Sequence, residues 1–220
     1  MWALVPVKTF SAAKTRLAPL LTGTQRAALA RTMLLDVLDA LRDSGRIDGI
    51  ALVSREPGLP DIAGAYGAVL LDEPERSDLS QAVSLGLDWA RAQPAVDTVL
   101  VVPGDIPLLQ PGDLESLAAA ADGHSAITPA RDGDGTNALV LQRPFRFTPE
   151  FGPGSCQRHL AALSADGQPP LLHHSVGISL DIDTEDDLNR LIRQDRPCRA
   201  LHLVQQMALQ AGGTPLFQFR

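Results

Sequence analysis

The chain has 220 residues, of which 45% are hydrophobic and 20% charged, and its formal net charge is −7. That composition is ordinary for a globular protein and excludes disordered and fibrous classes. The negative charge argues against a nucleic-acid polymer as partner, since no basic stripe offsets it, while small anionic substrates stay compatible with a local cluster of cations.

Two cysteines, Cys156 and Cys198, cannot build a disulfide framework, so a reducing cytoplasm is the expected setting. No stretch approaches the ~18 apolar residues of a membrane span. Met1 to Val7 lacks the basic start and cleavage site of a signal peptide. One domain over residues 1–220 is the expectation at this length.

In chain order, Trp2 to Val7 reads as a short buried strand, stopped by Pro6-Val7-Lys8. From Thr24 to Arg42, apolar residues recur at Leu29, Met33, Val37, Leu38 and Leu41; this predicts a helix with Thr24 as N-cap and Gly45 near its end. Ile50 to Val53 and Ala68 to Leu71 read as strands and Leu79 to Arg91 as a helix. Such alternation favours a parallel sheet covered on both faces. Val99 to Val102 is a strand running into Pro103-Gly104-Asp105, at the carboxyl edge where open α/β sheets bind ligands.

Pro111 to Ala121 predicts a helix, and Ala126 to Thr128 and Leu139 to Leu141 two short strands. Between those strands, the glycine-rich stretch Asp132 to Asn137 reads as a loop whose backbone comes close to a ligand. Gly154 to Ala165 and Thr184 to Gln194 predict two more helices, the second led by Thr184 with Asp187 three residues on. The tail from Leu201 to Arg220 is expected as one helix with a loose end.

Lys8, Lys14 and Arg16 follow the first strand, and three cations there suit phosphate oxygens, although a solvated loop reads the same way. The spacing is not that of a P-loop. Asp105 alone is weak, because an Asp after a strand more often forms a turn. Asp181 and Asp183 stand two apart in an extended segment and therefore share a face. Like charges so placed repel unless something positive lies between them. A divalent ion held by Asp105, Asp181 and Asp183 answers this, since carboxylates are hard oxygen ligands and no His/Cys set has zinc spacing. The alternative is an exposed acidic strand end with Asp183 or Thr184 capping the next helix.

Phe151-Gly152-Pro153-Gly154-Ser155 runs into a helix, whose free N–H groups would hold a carboxylate or phosphate; capping by Ser155 explains the stretch equally well. Cys156 and His159 lie one helical turn apart, but nothing supplies the orienting third group that a thiol nucleophile needs. His173 and His174 face opposite ways on a strand and read as structural.

Taken in order, Val5-Pro6-Val7-Lys8, Ala13-Lys14-Thr15-Arg16-Leu17, Gly104-Asp105-Ile106-Pro107-Leu108, Gly135 to Leu139, Phe151-Gly152 with Ser155, His159, and Asp181 to Leu188 resemble the 2-phospho-L-lactate guanylyltransferase family and its phosphoenolpyruvate-using relatives. The match runs from about Met1 to Leu191, and the ordered combination is far more specific than any single motif.

The resemblance implies a three-layer α/β/α nucleotidyltransferase fold of the glycosyltransferase-A type, Rossmann-like, with a mixed, mostly parallel central sheet. It implies transfer of GMP from GTP to a phosphorylated small acid (2-phospho-L-lactate, phosphoenolpyruvate or 3-phosphoglycerate), releasing pyrophosphate, in the assembly of the deazaflavin coenzyme F420. By motif position Asp105, Asp181 and Asp183 would hold magnesium, as two ions; Thr136, Gly152 and Ser155 would contact the phospho-acid. Lys8, Lys14 and Arg16, with Pro6, would face the nucleotide, and Asp105, Lys14 and Arg16 would be the catalytic set. Where the family often shows Gly-Leu-Asn at the start of the helix after the third strand, this chain has Asp78-Leu79-Ser80, which bears on guanine selectivity. The implied partners are GTP and the acid, with no nucleic acid and no membrane; a homodimer is left open. The competing readings are a cytidylyl- or molybdopterin-type transferase on the same scaffold, and a nucleotide-binding module without turnover.

Overall fold

Successive residues of the central strands face opposite ways, and here both sets are apolar, so both faces of the sheet must be covered. Ala3 and Val5 enter one buried cluster and Leu4 the other; Leu100 and Val102 enter the first and Val99 and Val101 the second. The computed structural model describes residues 1–165 and 169–210. Its strands are β1 (Trp2–Pro6), β2 (Gly49–Ser54), β3 (Val69–Asp72), β4 (Thr98–Val101), β5 (Ala126–Pro129), β6 (Thr136–Gln142) and β7 (Leu171–Leu172). Its helices are α1 (Gly23–Asp43), α2 (Leu59–Tyr66), α3 (Leu79–Ala92), α4 (Pro111–Ala121), α5 (Ser155–Ser164), α6 (Val176–Ser179), α7 (Glu185–Ile192) and α8 (Arg199–Gln210).

The strands form one sheet in the order β3-β2-β1-β4-β6-β5-β7. β3, β2, β1 and β4 are parallel neighbours, while β6 is antiparallel to both β4 and β5. The chain crosses from β1 to β2 on one side and reaches β4 on the other, so the switch in strand order lies between β1 and β4. Helices α1, α2 and α4 cover one face and α3 and α5 the other, giving a three-layer α/β/α architecture. A third buried cluster, built on Leu29, Met33, Leu188, Leu191 and Val204, seals α7 and α8 against α1. No helix of the described residues is long and apolar enough to cross a membrane.

Several local expectations shift. The N-cap of α1 is Thr22, not Thr24: its Oγ1 accepts from the Gln25 N–H, and the Gln25 side chain accepts from the Thr22 N–H. Helix α2 has no counterpart in the periodicity reading, because eight residues with Pro60 in the first turn give too short a stripe. Strand β6 starts at Thr136, three residues before Leu139, where it pairs with Pro129 beyond a register shift. Ser155 does not cap α5; Gly154 is the N-cap position and Ser155 is buried. Helix α8 starts at Arg199, because the Asp36 carboxylate of α1 accepts from the N–H groups of Arg199 and Ala200. The rest of the expected tail helix, residues 211–220, lies outside the described residues.

Candidate active site

The carboxyl edge of the sheet at the β1–β4 switch opens into a cleft of about 440 Å³. Its wall includes Pro6 at the end of β1, Lys8, Lys14 and Arg16 after it, Asp105 after β4, Thr136 and Asn137 at the start of β6, and Asp181 and Asp183 before α7. The reversed direction of β6 brings its first residues, rather than its last, to this edge: Val101 at the end of β4 pairs with Leu139.

Lys14 is the pivot of the cleft. Its Nζ donates to Asp105 Oδ2 at 2.6 Å and to Asp183 Oδ1 at 2.7 Å, and its side chain is only 5% exposed. Burial alone would lower its pKa, but the charges of Asp105 and Asp183 outweigh that and push it up to about 12. Its backbone is left-handed (φ 55°), which costs a non-glycine residue roughly 1–2 kcal/mol and is offset here by the two ion pairs. Lys8 and Arg16 are exposed, and neither has a hydrogen-bond or ion-pair partner among the described residues.

Asp183 and Asp181 are pushed in opposite directions. Burial would raise the pKa of Asp183, yet the Lys14 charge and hydrogen bond, joined by Arg16 and Lys8, hold it below the usual carboxylate range. Asp181 is pushed the other way, by burial first and by the Asp105 charge next, although the Asn137 amide donates to its Oδ1 at 3.1 Å. Asp105 Oδ1 is buried without a hydrogen-bond partner among the described residues. Such an orphaned oxygen within an all-oxygen, net-negative set fits a hard divalent cation. No group of three or more His, Cys, Asp or Glu side chains among the described residues forms a ready-made metal cage. In its place the Lys14 ammonium spans Asp105 and Asp183.

The loop before α5 is nearly saturated. The N–H of Glu150 donates to His159, that of Phe151 to Ser80 Oγ, that of Gly154 to Asp134 Oδ2, that of Ser155 to the Gly152 carbonyl and that of Cys156 to the Asp134 carbonyl. The helix N-terminus expected to hold an anion is thus capped by Asp134 of the same chain. The Gly152 N–H has no partner among the described residues, and its φ of 117° is open to glycine alone. Thr136 lines the cleft, Ser155 lies behind it with Oγ 3.4 Å from Thr136 Oγ1, and Gly152 is exposed beyond Phe151 at the rim.

Cys156 and His159 form no pair. His159 is spent on Thr136 and Glu150, and burial raises the Cys156 thiol, away from the thiolate. His173 is buried between Ser116 and Thr128, in keeping with a structural role, and His174 is exposed. Asp78 caps α3 with Gln81, while Ser80 reaches across to Phe151. Asn137 was not singled out by sequence reasoning. It ties the Ile178 carbonyl to Asp181, and its only sequence signal was its place in the Gly135–Leu139 motif.

The chain matches the family described as "Guanylyl transferase CofC like" over residues 1–211. It is 39% identical over 193 residues to the phosphoenolpyruvate guanylyltransferase of Conexibacter woesei, covering 86% of each chain. It is 32% identical over 190 residues to the 2-phospho-L-lactate guanylyltransferase of Methanothermobacter thermautotrophicus, covering 86% of this chain and 83% of the relative. To the 3-phospho-D-glycerate guanylyltransferase of Phenylobacterium zucineum it is 32% identical over 200 residues, covering 89% and 90%. Among solved structures, a putative nucleotide-diphospho-sugar transferase from Desulfovibrio desulfuricans G20 superposes with a TM-score of 0.72 at 19% identity, covering 93% and 94%; this is a likeness of fold. With its cleft at the β1–β4 switch and a match along nearly its whole length, the chain belongs to the CofC-like guanylyl transferase family.

Proposed function

We propose that this protein transfers GMP from GTP to a phosphorylated small acid and releases pyrophosphate, in the assembly of a deazaflavin coenzyme of the F420 type. The observation that carries the reading is the pairing, in one cleft, of free cations Lys8 and Arg16 with the carboxylates Asp105, Asp181 and Asp183. The relatives act on phosphoenolpyruvate, 2-phospho-L-lactate or 3-phospho-D-glycerate by name, and phosphoenolpyruvate is the acid expected here on the 39% identical relative.

The acid's phosphate is already anionic near neutral pH, a monoester having its second pKa at about 6, so it attacks without a protein base. The obstacle is the approach of one anion to the α-phosphorus of another. Lys8 and Arg16 would meet the triphosphate oxygens, and Lys14 would hold Asp105 and Asp183 in place. Asp105, Asp181 and Asp183 would hold magnesium, which when bound supplies charge neutralisation at the phosphates. Thr136 and Gly152 would offer an O–H and an N–H to the acid, with Ser155 acting from behind Thr136.

The test is incubation with GTP, magnesium and each acid in turn, following pyrophosphate and identifying the product by mass. A guanylated acid is the expected product. Turnover with another triphosphate but not GTP would shift the reading to a different base, and the Asp78-Leu79-Ser80 segment is where the change would lie.

A further inference from the structure

His159 has no exposed surface and stands edge-on to Phe147 and Phe151, with ring centroids 5.2 and 4.8 Å away. Both of its nitrogens are engaged. The Glu150 backbone N–H lies 3.1 Å from Nε2, and Thr136 Oγ1 lies 3.0 Å from Nδ1. A backbone N–H only donates, so Nε2 is the bare acceptor and the proton of the neutral ring sits on Nδ1. Burial, and then the Arg158 charge, lower the His159 pKa to about 4, so the ring is neutral at pH 7. Nδ1–H therefore donates to Thr136.

Ser155 Oγ, itself buried, lies 3.4 Å from the same Thr136 oxygen, long for a pair of hydroxyls. Thr136 Oγ1 thus accepts from His159 at 3.0 Å, and among the described residues its own proton has no acceptor closer than that 3.4 Å oxygen. Thr136 lines the cleft, which is where that O–H is left to point.

We propose that His159 is a positioning residue: its Nδ1–H holds the Thr136 hydroxyl as a hydrogen-bond donor into the cleft, aimed at an anionic oxygen of the acceptor acid. This rests on the reading of the cleft as a phospho-acid site. It assigns this buried histidine to substrate orientation, without proton transfer and without contact with the acid.

Two amides separate this from a packing role, since each removes the ring. His159→Asn keeps an N–H donor near the Nδ1 position, whereas His159→Gln reaches the Nε2 position and leaves Thr136 without a donor. With GTP and phosphoenolpyruvate, His159→Gln should raise the KM for the acid roughly tenfold, the worth of one oriented hydrogen bond, and leave the KM for GTP unchanged. His159→Asn should raise it only about threefold, and the Gln effect should vanish in a Thr136→Val background. Equal effects of Asn and Gln, or a Gln effect that survives Thr136→Val, overturn the proposal. Nitrogen-15 spectra of histidine-labelled protein at pH 7 should show Nδ1–H; an Nε2–H ring overturns it even in an active enzyme. A wild-type protein that guanylates none of the three acids sinks the functional reading instead, and with it the acid as the hydroxyl's acceptor.

Discussion

The ammonium of Lys14 and the carboxylate of Asp105, 91 residues apart in the chain, meet at 2.6 Å with the lysine almost wholly buried. Removing that ammonium leaves Asp105 and Asp183 facing each other without compensation. Lys14→Ala should lower unfolding stability by about 2 kcal/mol, less than the 3–5 of a fully buried pair, because the two carboxylates keep 30% and 43% exposure. Magnesium should raise the melting temperature of this variant more than that of the wild type, by binding where the ammonium was. Thermal melts with and without magnesium check both statements, and an equal response in the two proteins would remove the carboxylates from the metal assignment.

Asp105→Asn and Asp183→Asn keep side-chain volume and remove charge on either side of Lys14. Each should cut turnover by at least ~100-fold while far-ultraviolet circular dichroism stays native. Near-normal turnover in either variant would contradict the catalytic placement of the pair.

Lys8 and Arg16 line the cleft without hydrogen-bond or ion-pair partners among the described residues and act on Asp183 only through their charge, so their loss should cost the fold little. The double variant Lys8→Ala, Arg16→Ala should unfold within about 0.5 kcal/mol of wild type. Its KM for GTP should rise at least ~10-fold through loss of charge-assisted contacts to phosphate. Denaturant titration and initial rates against GTP separate the two effects.

His159 also makes the fold sensitive to acid. In the unfolded chain it takes a proton near pH 6.5, but in the folded protein only near pH 4. Between those values the unfolded state binds more protons, so stability falls as pH is lowered, by up to about 3 kcal/mol by pH 4. Urea titrations at pH 7 and 4.5 should show a larger loss for the wild type than for His159→Phe, which lacks the titrating ring. Parallel losses would mean that the ring is protonated in the folded protein.

Gly86 on α3 packs directly against β1. A Cβ added there would come within 2.2–2.8 Å of the buried Leu4 side chain. Gly86→Ala should therefore destabilise by about 1–3 kcal/mol despite the better helix propensity of alanine, and Leu4→Ala in the same chain should recover part of the overpacking strain. Denaturant midpoints of the single and double variants decide it.

Much of this architecture was legible because a few local rules point the same way. Strands buried on both faces read as unbroken apolar runs, and the carboxyl-edge rule placed Asp105 at the ligand-binding rim. What stayed hidden depended on long-range contacts. That Lys14 would lie between Asp105 and Asp183 follows from the meeting of segments after β1, after β4 and before α7, which no spacing encodes. The anion-binding look of Gly152 to Ser155 concealed that Asp134, some twenty residues earlier, already satisfies that helix end. Thr24 reads as a cap by residue type, but Thr22 is the one with Gln25 three residues on, and it is the cap. Thr136 and Asn137 read as loop because glycines precede them, yet pairing across the shift at Pro129 makes them strand.

The antiparallel course of β6 has a consequence for how the rim of the cleft is held together. β5 and β6 form a hairpin whose connection, residues 130–135, projects at the same rim as Asp105 and Lys14. That connection is tied down: Asp134 within it accepts from the Gly154 and Cys156 N–H groups at the start of α5, and the Arg131 N–H donates to the Ser179 carbonyl at the end of α6, while Thr136 and Asn137 are fixed by pairing. The hairpin tip is therefore a clasp that joins the start of α5 and the end of α6 to one rim, and a change in its length would shift both together.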